Sequence, residues 1–367
     1  MDLVLTGATG FVGSHLALGW LRRDPAARIG CLVRAADAGS AQARLHAALR
    51  DAAFDDSDLD GLLARADAIP GCLEEAGWIG DAQAWMRSPA ELVHCAANLS
   101  FRESDRAAVW RSNVDGTKAL LRALPGLQGL AAFNYISTAY VAGDRQGDIL
   151  EGEHARPQHF NNPYEESKWV AEGLVREGCA AAGVAWRVLR PSIVIAHSVT
   201  HRMSSHSGFY HVVDTLLQLG RHKRLAGDGP VLLPVAFGTT LDLIPVDVVA
   251  GEIVALIAAG GATTGQNFHV TPADPLLLAD VLRQLTPMSG MAIEINGPAT
   301  PLSPTAQLVM RRLRYYAPYF AFRRRFDRRG TQAALGGVPY RLTLDELRGF
   351  VRSYLAQQES PASGAAT

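Results

Sequence analysis

Residues 3–17 read "LVLTGATGFVGSHLA", and the order of the parts within this stretch decides the fold. A short apolar run ends in three glycines, Gly7, Gly10 and Gly13, and a helical pattern begins at once. A tight turn from strand to helix favours residues without a Cβ. It also lets the backbone approach a diphosphate closely, and the start of the helix supplies N–H donors and the positive end of a dipole. Glycines at this spacing are weak evidence alone. Placed after a first strand and before a helix, they indicate a dinucleotide-binding turn, Thr9 included.

Outward from this turn the alternation continues. "RIGCLVR" (28–34) is strand-like and "SAQARLHAALRDA" (40–52) helical; "ELVHCAAN" (91–98) precedes a helical "VWRSNVDGTKALLRAL" (109–124). "LAAFNYISTAYV" (130–141) leads to a helix around Tyr164, and "AWRVLRPSIVI" (185–195) is again a strand. Such a chain predicts an α/β fold, a Rossmann-type doubly wound parallel sheet with helices on both faces. The acidic, alanine-rich region 51–65 reads as a surface excursion. From about His197 the pattern changes, which predicts a smaller, mostly helical C-terminal substrate domain. The expected division is 1–195 plus about 240–270 for the dinucleotide domain. Residues 196–239 plus 271–355 form the substrate region, and 356–367 a disordered tail.

The chain has 367 residues, 48% hydrophobic and 19% charged, with a formal net charge of −1, which gives no global electrostatic case for nucleic acid. It opens directly on a strand, so no secretory leader is expected, and charges interrupt every apolar run before membrane-spanning length. Cys31, Cys72, Cys95 and Cys179 lie far apart without a C-x-x-C pair, as reduced thiols in a cytoplasmic protein would.

The second strand ends in Arg34, where NAD-preferring folds carry an acid for the ribose 2′-hydroxyl. A guanidinium suits a 2′-phosphate, so NADP(H) is expected over NAD(H), with Arg44 a second candidate charge. In "NNPYEESKWVAE" (161–172), Lys168 is one of only three lysines among 35 basic residues, and it stands four residues after Tyr164. At that spacing both side chains share a helix face. An ammonium beside a phenol is expected to lower the tyrosine pKa, and it also reaches the nicotinamide ribose hydroxyls. A second oxyanion donor is expected from Ser137 or Thr138 at the preceding strand end, and Asn113 is a candidate for holding a water or Lys168.

The blocks "TGATGFVG", "NVDGT", "ISTAYVAG" and "NPYEESKWVAE" resemble extended short-chain dehydrogenase/reductases. With "LVHCAANLSF", "LRPSIVI" and "LDLIPVDVVA", the chain is similar to the thioester reductase and fatty acyl-CoA reductase branch. The resemblance implies a triad of Thr138, rather than Ser137, with Tyr164 and Lys168. It places Gly7, Gly10, Phe11, Val12 and Gly13 on the pyrophosphate and Arg34 on the 2′-phosphate. Ala96 and Ala97 would line the cofactor cleft, and Pro191 to Ile193 would lie near the carboxamide. Where the family usually has Gly-Asp-Leu for adenine, this chain has Gly71-Cys72-Leu73, leaving adenine to backbone groups around Leu73.

The function implied is NADPH-dependent reduction of an acyl thioester, on CoA or a carrier protein, to an aldehyde, with the alcohol as a further product. The alternatives are ketone–alcohol interconversion on a hydrophobic small molecule by the same triad, and a nucleotide-sugar epimerase or dehydratase. His197, His201, His206 and His211 lack accompanying acidic or cysteine ligands, so no metal is expected. Eight arginines between Met310 and Arg329 read either as a basic surface over inward-packed aromatics, or as a dock for an acidic carrier protein, CoA phosphates or a membrane surface.

Overall fold

The computed structural model describes residues 2–54, 57–73, 90–203, 208–221, 230–297 and 301–359. The chain divides into two compact units. The first comprises Met1–Ser192, Val246–Thr271 and Arg325–Pro339; the second comprises Ile193–Pro245, Pro272–Arg324 and Tyr340–Thr367.

The first unit is built on seven parallel strands: β1 (Leu3–Thr6), β2 (Ile29–Val33), β3 (Ala66–Pro70), β4 (Ala90–His94), β5 (Leu130–Ile136), β6 (Ala185–Pro191) and β7 (Gln266–Val270). Their order across the sheet is β7-β6-β5-β4-β1-β2-β3. β1 and β2 are buried along their whole length, as strands covered on both faces must be. The order of connections reverses between β1 and β4, which opens a crevice at their carboxyl ends. Register sets Thr6 beside His94 there.

Helix Phe11–Arg23 follows the glycine turn, and its closing turn is tied down by Arg65, whose Nη1 donates to the carbonyls of Leu21, Asp24 and Ala27. Region 51–65 is therefore not a simple excursion: Leu62 and Leu63 are buried, and Arg65 caps a neighbouring helix. Helix Pro163–Ala182 is delimited as its sequence dictates. The Asn162 side chain accepts from the Glu165 N–H, Pro163 occupies the first turn, and Gly183 closes it at φ +66°. The expected helix over 109–124 instead contains a wide π turn at Arg111–Asp115.

Residues 325–339 belong with the sheet, although the sequence pattern placed them in the substrate region. A buried carboxylate draws them there. Glu151 accepts from the His269 N–H (2.9 Å), the Gly330 N–H (2.6 Å) and the Thr331 hydroxyl (2.6 Å), at the start of helix Arg329–Leu335. Phe326 joins Ala139, Ala142 and Ile149 in a small apolar cluster. Residues 240–245 lie in the second unit instead, where Leu243–Pro245 pair with Ile193–Ile195.

The second unit has its own core, including Ile195, Tyr210, Leu216, Val235, Leu282 and Phe350. Its last helix runs Leu344–Glu359, so residues 356–359 are helical rather than disordered; Leu347, Phe350, Val351 and Tyr354 recur at helical spacing and are buried. Residues 360–367 of the expected tail lie outside the described residues.

Glu151→Ala leaves the Gly330, Thr331 and His269 donors without their acceptor. It is expected to cost about 3 kcal/mol in chemical denaturation and to raise amide exchange across 325–339 before the rest of the unit.

Candidate active site

Gly7 stands at φ +78°, and a Cβ on it would lie 2.6 Å from the Ala96 nitrogen. A Cβ on Gly13 would lie 2.1 Å from the Gly7 carbonyl oxygen. The turn is thus closed to any side chain at both positions, and the Gly10 N–H donates to the Gly7 carbonyl (3.0 Å). Gly10 caps the following helix with extended backbone and no side-chain hydrogen bond, and the first helical turn holds no acid. These N–H groups suit a diphosphate. Thr9 and Gly10 are exposed, and Phe11 and Val12 partly so. The Ala96 N–H lies 3.3 Å from Thr6 Oγ1, beside Gly7, and Ala97 is half-buried.

Arg34 is exposed just beyond β2, and the Arg44 guanidinium donates to its carbonyl oxygen. The nearest following acid, Asp37, is already engaged: its carboxylate accepts from the Ser40 N–H and hydroxyl, both at 2.8 Å. The Leu73 side chain packs against Gly116. Pro191 closes β6 in the first unit, and Ile193 opens the second unit.

Tyr164 and Lys168 lie one turn apart on helix Pro163–Ala182. Lys168 is 2% exposed; its Nζ donates to the Ile136 carbonyl (2.6 Å) and sits 4.5 Å from the centre of the Tyr135 ring. The Tyr164 phenol lies beside the Thr138 side chain, and its ring stacks on Phe101 with centroids 6.1 Å apart. Ser137 turns elsewhere, donating to Glu172 (2.6 Å). The structure therefore brings Thr138, Tyr164 and Lys168 together at the end of β5, and leaves Ser137 out.

The electrostatics correct one expectation. Burial pushes the Tyr164 phenol above its usual range; Cys95 and Glu165 add to this, and only the neighbouring Thr138 side chain opposes it. The phenol is protonated at neutral pH. Burial lowers Lys168 to about 8 against the pull of Cys95 and Glu172. His94, buried and near the Lys168 charge, falls to about 3, and burial raises the Cys95 thiol to about 11.

Asn113, in the π turn, was expected to hold a water or Lys168. Its amide instead donates to the Asn98 carbonyl and Ser167 hydroxyl (both 2.9 Å) and accepts from the Asn98 N–H (2.7 Å). It ties the loop after β4 to the tyrosine helix. Sequence reasoning passed over His94, whose ring nitrogens lie 2.7 Å from Thr6 Oγ1 and 3.1 Å from Thr117 Oγ1. It also passed over Glu172 and Arg190. The available signal was a glutamate eight residues after the tyrosine, on the same helix face.

The other candidate clusters disperse. His201 packs on Phe350 and His211 on Tyr316, while His206 lies outside the described residues. Among the described residues no group of three histidine, cysteine or acidic side chains is arranged to hold a metal. Among the described residues no cysteine forms a disulfide, and no described helix is long and apolar enough to cross a membrane.

Of the eight arginines, Arg325, Arg328 and Arg329 pair with Asp148, Glu252 and Asp327 in the first unit. Arg324 is buried over Tyr319 and Phe322. Arg311, Arg312, Arg314 and Arg323 are exposed in the second unit.

Comparison with known proteins places this geometry. The profile of the family described as "Male sterility protein" matches residues 5–253. A carboxylic acid reductase of Mycobacterium marinum is 30% identical over 293 residues, covering 73% of this chain and 24% of that protein. The non-canonical nonribosomal peptide synthetase FrzA of a Cladobotryum species is 29% identical over 287 residues, covering 73% and 26%. This chain thus spans about a quarter of the length of these curated relatives. Among solved structures, the terminal R domain of the myxalamid PKS-NRPS pathway superposes with a TM-score of 0.75 at 23% identity, covering 97% of this chain and 90% of that one. An archaeal thiolation-reductase di-domain gives a TM-score of 0.74 at 20% identity, covering 98% and 75%. The profile spans well over half of the sequence, so the chain belongs to the "Male sterility protein" family and is a nicotinamide-dependent oxidoreductase of the extended short-chain dehydrogenase/reductase type.

Proposed function

We propose that this chain is an NADPH-dependent reductase of acyl thioesters. The observation that carries the reading is the Tyr164 phenol beside the Thr138 side chain, one helical turn from the buried Lys168 ammonium. A reduced dinucleotide held at the Gly7–Gly13 turn would supply the hydride that the acyl carbon accepts. Tyr164 and Thr138 hold the carbonyl oxygen as charge develops on it. Because burial keeps the phenol protonated, Tyr164 is equipped to give that oxygen a proton, and Lys168 offsets the charge left behind. The resulting hemithioacetal collapses to an aldehyde and a free thiol. Relatives named as carboxylic acid reductase and thiolation-reductase support this substrate class over a ketone.

Arg34 and Arg44 support NADPH over NADH, since the acid that follows Arg34 in the loop after β2, Asp37, is committed to its helix cap. The four outward arginines of the second unit support delivery of the acyl group by an acidic carrier protein, because an array of exposed cations raises encounter rates with an acidic surface.

Three outcomes are expected. Tyr164→Phe lowers the rate of coupled NADPH oxidation and thiol release by roughly 10²–10⁴; near-normal turnover would remove the general acid. Arg34→Ala raises KM for NADPH roughly tenfold or more while leaving that for NADH unchanged. Rising ionic strength, or Arg311→Glu with Arg312→Glu, raises KM for a carrier-bound acyl group but not for the corresponding N-acetylcysteamine thioester. Ketone turnover without thiol release would replace the thioester reading with the alcohol–ketone one.

A further inference from the structure

The tyrosine helix touches three consecutive residues at the end of β5. Tyr164 meets Thr138, Lys168 meets the Ile136 carbonyl, and Glu172 meets the Ser137 hydroxyl. The three helix residues stand at i, i+4 and i+8, one stripe facing one short length of chain. Two of these contacts belong to the catalytic proposal. The third has no role in it, yet its geometry is the most fully determined.

Glu172 is 0% exposed. Its Oε1 accepts from Ser137 Oγ (2.6 Å) and Arg190 Nε (2.9 Å); its Oε2 accepts from Arg190 Nη2 (2.7 Å) and Arg176 Nη2 (3.3 Å). Arg190, 1% exposed, is itself fixed, donating to the carbonyls of Glu151 (3.3 Å) and Glu153 (2.8 Å). A buried carboxylate–guanidinium pair adds little stability over an apolar pair of the same volume, because desolvation offsets the attraction. What it does supply is direction. With the Arg190 fork and Arg176 taking three of its acceptor sites, the carboxylate has one place left for a hydroxyl, and Ser137 fills it.

We propose that Glu172 is a positioning residue: with Arg190 as its anchor, it fixes Ser137, and through it the placement of Thr138, while its charge supports the ammonium of Lys168. Thr138 begins a new turn immediately after Ser137, its Oγ1 accepting from the Tyr140 N–H (3.2 Å), so a shift at 137 passes directly to 138. The groups facing Lys168 are Tyr164 and Glu172 on its own helix, His94 and Cys95 at the end of β4, and Tyr135 on β5. Those facing Glu172 are Arg176 on its own helix, Arg190 on β6, Ser137, and His154 at 3.7 Å, with Tyr135 on β5 and His269 on β7 also within reach of its charge. Among these, Glu172 is the carboxylate that acts on Lys168. Its loss lets the ammonium deprotonate at lower pH, so activity that needs the ammonium fails earlier as pH rises.

The test begins without cofactor. The chain has three lysines, Lys118, Lys168 and Lys223, so the lysine side-chain NMR signals can be assigned by single replacements and Lys168 followed through a pH titration. The Lys168 midpoint is expected near about 8 in the parent protein, and lower by about one unit in Glu172→Gln. Kinetically, the basic limb of the kcat–pH profile moves by the same amount. Ser137→Ala lowers kcat about tenfold with cofactor affinity unchanged, alongside the modest loss of melting temperature expected for a buried hydrogen bond. Should Glu172→Gln fail to fold, Glu172→Asp, which keeps the charge and withdraws the oxygens, is expected to lower kcat while leaving the Lys168 midpoint in place. A Lys168 midpoint that does not move in Glu172→Gln, or full turnover by Ser137→Ala, overturns the proposal. The kinetic arm rests on the reductase reading above; the titration arm stands or falls independently of the substrate.

Discussion

The hydrogen bond from Lys168 Nζ to the Ile136 carbonyl joins the tyrosine helix to the last residue of β5. It fixes the phase of that helix against the sheet. Given that phase, Tyr164 comes to Thr138 and Glu172 to Ser137; a rotation of one residue, about 100°, would send all three side chains elsewhere. The bond requires burying an ammonium, which water would otherwise solvate well. The carbonyl, the face of the Tyr135 ring and the Glu172 charge replace that solvation in part, and the remaining penalty appears as a lowered lysine pKa.

The same sheet shows why arginine would not serve at this position. Buried cations elsewhere in the first unit are planar forks spread over several acceptors. Arg187 donates to Thr263 (2.7 Å), Asn134 (2.9 Å) and the Glu91 carboxylate (3.3 Å), and Arg190 to Glu172. Such forks lock strands and helices together, and most of the Arg187 and Arg190 donors are consumed in doing so. Lysine is a compact charge on a flexible stem. It holds a single carbonyl and keeps further donors for a ligand. The chain's preference for arginine and the lysine at 168 fit the site proposed above, in which forks hold structure and a compact charge would meet the ligand.

The phosphate turn works by subtraction. Gly7 and Gly13 leave no room for side chains between the end of β1, the Ala96 backbone and the first helix. The uncapped N–H groups of that helix are the result. What this end of the sheet offers a ligand is backbone, while the end of β5 offers side chains held by a buried polar network. The two ends have different sensitivities to substitution for that reason.

Sequence alone determined the alternating architecture, the glycine turn, the shared face of Tyr164 and Lys168 and the family resemblance, because each rests on spacing within one segment. The periodicity of strands and helices is local, and so is an i, i+4 pair. What tertiary structure decided was every property that depends on a distant partner. Burial, set by residues from several strands, reversed the expected direction of the Tyr164 pKa. Glu172 gained its role from Arg190 on another strand and Ser137 on a third element. Asn113 turned toward Asn98 and Ser167, and residues 325–339 joined the sheet through Glu151, far away in sequence. The eight arginines, alike in the sequence, were sorted into paired, buried and outward ones. Local patterns fix which elements form; only packing fixes the solvent, the charge and the hydrogen-bond partners that each side chain meets.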